Sequence, residues 1–232
     1  MNFDFLHNEL HDFEQKGLLR RLTEIDSACR TTIRIGNSEK VLFCSNNYLN
    51  LADDARLIAA AKKAMDEYGV GSAASRLISG SLKPHLELER ALAAMFNKQA
   101  ALVFPSGYMA NLAVLQTIAQ KGDIILLDKL DHASIIDAAK SSAADFRTYH
   151  RTQYDKIESL LASTEYNRKF IVTESVFSMD GDFADLHKLV ELKKKYNACL
   201  IVDEANAFGC FGDSGAGLAQ QRARLLAHAD LA

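Results

Sequence analysis

The sequence predicts an α/β fold built on a mostly parallel sheet. Three observations carry that prediction. Apolar runs recur at 101–104, 124–127, 145–149, 170–173 and 199–202. A helical segment lies between each successive pair, at 107–119, 132–141, 153–163 and 184–196. Two of the runs end in a carboxylate, Glu174 and Asp203. Strands that alternate with helices form parallel sheets covered on both faces, and near-continuous apolar runs are what such buried strands look like. Ligands of these sheets sit outside the carboxyl ends of the strands. Two acids delivered to that edge therefore suggest a site that handles positive charge or a protonated nitrogen.

The elements follow in order. Phe3, Leu6, Leu10 and Phe13 recur at helical spacing, which predicts an amphipathic helix over 3–20. Two short β-like runs come next, at 32–35 and 41–44. A helix over 54–68 carries Leu57, Ala61, Ala64, Met65 and Tyr68 on one stripe. Another starts near Pro84, a residue suited to a first helical turn, and is expected to bury Leu88, Leu92, Met95 and Phe96. From residue 100 the regular alternation begins. The expected organisation is a small N-terminal region, 1–50, followed by one α/β domain, 51–232.

With 232 residues and 48% hydrophobic side chains, the chain can bury a sizeable core. Its net charge of −3 argues against nucleic acid or an anionic membrane as partner. The lysines at 193–195 read as a solvated helix face. The 4 cysteines form no CxxC pair and no metal spacing, and Cys199 in an apolar run suits a small buried hydrophobe. No run reaches the roughly 18 apolar residues of a membrane span. The N-terminus, MNFDFLHNELHDFEQ, lacks a basic n-region. Together these features suggest a cytoplasmic protein without a metal.

Asp203 closes the run LIVDEA. A Walker B strand looks similar but needs a GxxxxGK[ST] loop, which the chain lacks. The remaining chemistry for such an acid is to pair with a cationic group, and a protonated pyridine nitrogen fits. The simpler reading is an Asp that caps the next turn. Gly209, Gly212, Gly215 and Gly217 do not make GxGxxG and read as a tight turn beside a ligand. Ser106-Gly107-Tyr108 opens a helix, where backbone N–H groups attract phosphate, though a serine there also serves as an N-cap. His132 follows the run 124–127 and starts a helix; a structural histidine is the competing reading. Ser178, just past Glu174, either meets a ligand or shapes the turn before Asp180-Gly181.

In combination the segments SNNYLNL (45–51), GSAASRLISGSLKPHLELE (71–89), FPSGYMANLAV (104–114), LDHASIIDAA (130–139), VTESVFSMDGD (172–182) and VDEANAFGCFGDSGAG (202–217) resemble the α-oxoamine synthase family. These are pyridoxal 5′-phosphate (PLP) enzymes with the aminotransferase-like fold type I. The resemblance covers almost the whole chain. It implies that Asp203 holds the pyridinium nitrogen and that His132 stacks on the ring and helps position substrate. It implies Gly107 and Tyr108 at the cofactor, Ser178 hydrogen-bonding near its oxygen, and Arg20 at a substrate carboxylate or acyl chain, with Arg21 as the alternative if the register slips. The implied reaction condenses L-alanine with an acyl-CoA, pimeloyl-CoA or its carrier-protein form, in a homodimer; glycine with acetyl-CoA is the competing pair.

Two departures from the family pattern stand out. Asn206 occupies the position of a histidine that hydrogen-bonds the cofactor's phenolic oxygen; its NH₂ group can donate but cannot titrate. The family's Schiff-base lysine and C-terminal domain are expected beyond Ala232, so the 232-residue chain is expected to be inactive alone. A non-catalytic remnant is the alternative reading.

Overall fold

A computed structural model describes residues 2–221 and 230–231. The chain divides into two compact units, Met1–Lys63 and Ala64–Ala232. The division falls inside a helix, whereas the sequence suggested one after residue 50.

The first unit begins with α1 (Asp4–Gln15). It is shorter than the expected 3–20 because Gly17, at φ +65°, turns the chain out of the helix. Its stripe of Phe3, Leu6, Leu10 and Phe13 is exposed. β1 (Thr32–Ile35) and β2 (Ser38–Val41) form an antiparallel hairpin. The second strand starts earlier than the apolar run at 41–44. A two-residue turn at Gly36-Asn37 sets Ile35 opposite Ser38, and that register rather than hydrophobicity sets the strand's limits. α2 (Ala55–Tyr68) spans the division; of its expected stripe Leu57, Ala61, Ala64 and Met65 are exposed and Tyr68 is half-buried.

The second unit opens with α3 (Lys83–Met95), started by Pro84 as expected. Leu88 is exposed rather than buried; Leu92, Met95 and Phe96 are half-buried, and the residues that α3 buries are Glu89 and Ala93. α4 (Gly107–Ile118), β3 (Ile124–Asp128), α5 (Ala133–Ser141), β4 (Asp145–Tyr149), α6 (Tyr154–Ala162), β5 (Lys169–Glu174), α7 (Leu186–Tyr196) and β6 (Cys199–Asp203) then alternate as predicted. A short α8 (Leu218–Gln221) follows. The strands pair in the order β4-β3-β5-β6, all parallel.

The strands' two-residue period sorts their side chains between two cores. Ile124, Leu126, Ile171, Leu200 and Val202 join the α6 and α7 residues Ile157, Leu161, Leu189 and Leu192. Ile125, Leu127, Phe170, Val172 and Ile201 join Leu115 of α4 and Ile135, Ala138 and Ala139 of α5. Each fully buried Leu or Ile contributes about 1.5–3 kcal/mol relative to exposure.

The run 101–104 forms no strand among the described residues. Its backbone is held from the side: Val103 N–H donates to Glu89 Oε1 (3.0 Å) and Val103 O accepts from Arg76 Nη1 (3.4 Å). The outer edge of β6 is met instead by Leu231, which bridges Ile201 in parallel. Asp230 and Leu231 are the described residues at this end of the chain. Lys193 is half-buried and pairs with Asp230 at 2.6 Å, so only Lys194 and Lys195 match the expected solvated face. Cys199 is half-buried; burial, with Asp230 nearby, pushes its thiol up to about 12, as an inert packing residue requires.

Candidate active site

The C-terminal ends of β3, β5 and β6 carry His132, Ser178, Asp203 and Asn206 of the predicted residues. β6 ends in Asp203, half-buried, whose Oδ1 caps the following turn by accepting from Ala205 N–H (2.9 Å). The capping reading is thus satisfied by one oxygen, while Oδ2 accepts from Asn111 Nδ2 at 3.2 Å. Asn111 lies one turn into α4, and the same nitrogen donates to Ser134 Oγ at 2.9 Å. Ser134 is fully buried at the start of α5 and its Oγ stands 2.7 Å from His132 Nδ1. His132 is the N-cap of α5: Nδ1 also accepts Ser134 N–H (3.2 Å), while the ring itself is exposed. The structural reading of His132 is thus satisfied through Nδ1, and the residue remains exposed to solvent.

Glu174, the acid at the end of β5, is buried at 3% exposure. Its Oε1 accepts from His132 N–H (2.5 Å) and its Oε2 from Asn206 Nδ2 (3.2 Å). Burial pushes this carboxyl above its ordinary range and the Asp203 charge adds to the effect, while the His132 and Ser178 N–H groups oppose it. Glu174 is thus a strut between the β3 and β6 loops. Asp131 makes a second strut: Oδ1 accepts from Glu174 N–H (3.0 Å) and Oδ2 from Asp128 N–H (2.8 Å), tying the ends of β3 and β5 together. Burial pushes Asp131 well above the usual carboxylate range.

Asn206 directs its amide nitrogen to Glu174 and to Val176 O (3.2 Å each). Its two hydrogens therefore point into this strut, where the sequence comparison expected a donor to the cofactor's phenolic oxygen. Ser178 is exposed on the loop after β5. Arg151 fixes that loop: it pairs with Asp180 (2.7 Å) and Asp182 and lies 4.3 Å over the Phe177 ring.

α4 supplies the third component. Ser106 is its N-cap, accepting Met109 N–H at 3.3 Å. The N–H groups of Gly107 and Tyr108 belong to the first turn, which has no acceptor inside the helix, and the space beside Gly107 Cα is open. Backbone N–H groups at the start of a helix are the kind that attract phosphate. Tyr108 donates its hydroxyl to Asp137 Oδ2 (3.1 Å), and that bond raises the phenol's pKa. Arg20 is exposed and belongs to the first unit.

The glycine turn serves a neighbouring acid. Gly209, Gly212, Gly215 and Gly217 all have positive φ. Glu204 is buried at 6% exposure and accepts from Ser175 Oγ (2.5 Å), Leu218 N–H (3.0 Å) and Ala219 N–H (2.9 Å). A Cβ on Gly217 would lie 2.5 Å from this carboxylate. Asn111, Ser134, Asp131 and Glu204 were not singled out from the sequence. The available signal was polarity out of place: Asn111 sits between Gly107 and Leu115 at four-residue spacing on an apolar helix.

A carboxylate, an exposed histidine and a helix N-terminus are thus collected around one sheet edge, and the chemistry of this donor set fits PLP. The family profile for aminotransferase class I and II matches residues 38–231. The chain is 42% identical over 222 residues to 8-amino-7-oxononanoate synthase of Herminiimonas arsenicoxydans, covering 96% of this chain and 57% of that protein. The structure is similar to serine palmitoyltransferase from S. paucimobilis with a bound PLP–myriocin aldimine: TM-score 0.87, 32% identity, 99% of this chain and 60% of that one. It also resembles 8-amino-7-oxononanoate synthase of Francisella tularensis, with TM-score 0.65 and 36% identity over 77% of this chain and 49% of that one. The chain spans little more than half the length of the relatives it matches. It belongs to the aminotransferase class I and II family, on the α-oxoamine synthase branch whose motifs it carries.

Proposed function

We propose that this chain carries the cofactor-holding face of an α-oxoamine synthase, and that the whole protein condenses L-alanine with pimeloyl-CoA, or pimeloyl carrier protein, to give 8-amino-7-oxononanoate for biotin biosynthesis. The observation that carries this reading is the hydrogen-bonded line from Asp203 through Asn111 and Ser134 to His132, beside an open helix N-terminus. It supplies groups for the nitrogen, face and phosphate of one ligand.

In this reading Asp203 accepts the hydrogen bond of a protonated pyridine nitrogen and keeps that proton in place. Gly107 and Tyr108 offer backbone N–H groups to the phosphate, where the α4 dipole favours negative charge. His132 lays its exposed imidazole against the ring, and Ser178 offers its hydroxyl from the loop that Arg151 braces. Arg20 receives the substrate carboxylate or acyl chain. When bound, PLP supplies an electron sink for a carbanion at the amino acid's α-carbon. The chain's own contribution is orientation and electrostatics. The whole protein works as a homodimer.

The test is a thiol-release assay on a protein of the relatives' full length that contains this chain. L-alanine, glycine and L-serine are each paired with pimeloyl-, acetyl- and palmitoyl-CoA. Preferred release with alanine and pimeloyl-CoA supports the proposal. Equal or better turnover with glycine and acetyl-CoA, or with serine and palmitoyl-CoA, replaces it with another member of the branch.

A further inference from the structure

We propose that Asn111 is a positioning residue that fixes the tautomer of His132, so that the ring keeps its proton on Nε2 while Asp203 is held from the same amide nitrogen. The hydrogen-bond geometry supports it. Asn111 Nδ2 has two hydrogens, and two acceptors stand within reach: Asp203 Oδ2 at 3.2 Å and Ser134 Oγ at 2.9 Å. Turned the other way, the amide would set its oxygen against the carboxylate, an acceptor facing an acceptor. With one of its two lone pairs taken by Asn111, the Ser134 hydroxyl has its hydrogen free for His132 Nδ1, 2.7 Å away, the direction that agrees with the fixed backbone donor beside it. The Ser134 backbone N–H points at the same nitrogen from 3.2 Å. A nitrogen that receives two donors cannot carry a proton, so a neutral His132 is protonated at Nε2. Ser134 is enclosed, whereas His132 is exposed. The chain of bonds therefore begins at Asp203, which is half-buried, and ends at a ring that presents an N–H donor outward. Its meaning for a ligand rests on the function proposed above; the tautomer itself does not.

Among the described residues, the groups facing this line from the elements packed around it are few. Asp137 on α5 is engaged by Tyr108, Glu174 holds the His132 backbone N–H, and Asp203 closes the far end. None of them offers an acceptor to Nδ1 in place of Ser134.

The test reads the ring nitrogens of His132 directly, by long-range ¹H–¹⁵N NMR on the ligand-free 232-residue chain at a pH of about 8, above the ordinary histidine range. The wild type is expected to show a protonated Nε2 and an unprotonated Nδ1. In Asn111→Leu, the Ser134 hydroxyl is released to accept as well as donate, and the two nitrogens are expected to move toward a mixed tautomer. Ser134→Ala removes the same link from the other side and is expected to give the same movement, which keeps the test open if Asn111→Leu does not fold. PLP titration by absorbance provides the second readout, with dissociation constants raised about tenfold in both variants. An Nδ1–H ring in the wild type, or an unchanged tautomer in both variants, overturns the proposal. Failure of the wild-type chain to bind PLP, with the NMR result intact, would instead count against the function and leave the role of Asn111 standing.

Discussion

At the scale of single residues, the site is a set of acids given different work by their surroundings. Asp203 keeps one oxygen for the chain and one for Asn111. Glu174 and Glu204 are buried deeper and face backbone and side-chain donors, so burial pushes both upward while those donors pull back. Glu204 also explains why Gly217 must be glycine: its φ is +98°, and a Cβ would meet the carboxylate at 2.5 Å. Gly217→Ala should lower unfolding stability by about 2–3 kcal/mol through backbone strain and the displaced acid. Urea unfolding measures it; a change below half a kcal/mol would mean that the turn relaxes freely.

At the scale of elements, two devices hold the site's scaffolding. Ser106 caps α4 at the point where the helix presents its first N–H groups. Ser106→Ala is expected to cost about 0.5–2 kcal/mol, read from the same urea midpoints. The second device is the Arg76–Glu89 pair, which secures residues 101–104 in place of sheet hydrogen bonds. The Arg76 guanidinium, with the Val103 N–H, holds Glu89 down at about 2. A carboxyl lowered in the folded state contributes stability that is present above its ordinary value of 4.5 and is lost as the pH falls toward about 2. The stability gap between wild type and Glu89→Gln should therefore narrow across that window. A gap that stays constant with pH would show that the pair does not hold the segment.

At the scale of the whole molecule, the burial of the central strand drives the fold. Leu126 on β3 is fully buried between layers, and Leu126→Ala is expected to cost about 2–5 kcal/mol in thermal or urea unfolding. The order of strands and helices from residue 107 onward was legible because periods of 2 and 3.6 alternate there without interruption. The run 101–104 was misread because apolar composition alone cannot say whether a strand finds a partner; here Glu89 and Arg76 take its backbone groups. The stripes of α1 and α2 were legible as helices, but the period of a stripe does not say what covers it. The placement of Asp203 at a strand end and of His132 at a helix start was legible because the apolar runs before them and the helical period after His132 mark those boundaries. Asn111 and Ser134 were not, because their role depends on two helices meeting, a contact between residues 23 positions apart.

The central claim is that Asp203 holds a protonated pyridine nitrogen. The most direct measurement compares PLP with its 1-deaza analogue, in which carbon replaces that nitrogen, by absorbance titration of the wild-type chain and of Asp203→Asn. A charge-assisted hydrogen bond contributes roughly 1.5–3 kcal/mol. The wild type should therefore bind PLP about 10- to 100-fold tighter than the analogue, and Asp203→Asn should lose most of that preference. Equal affinity of the wild type for both compounds, or a preference that survives in Asp203→Asn, would contradict the account.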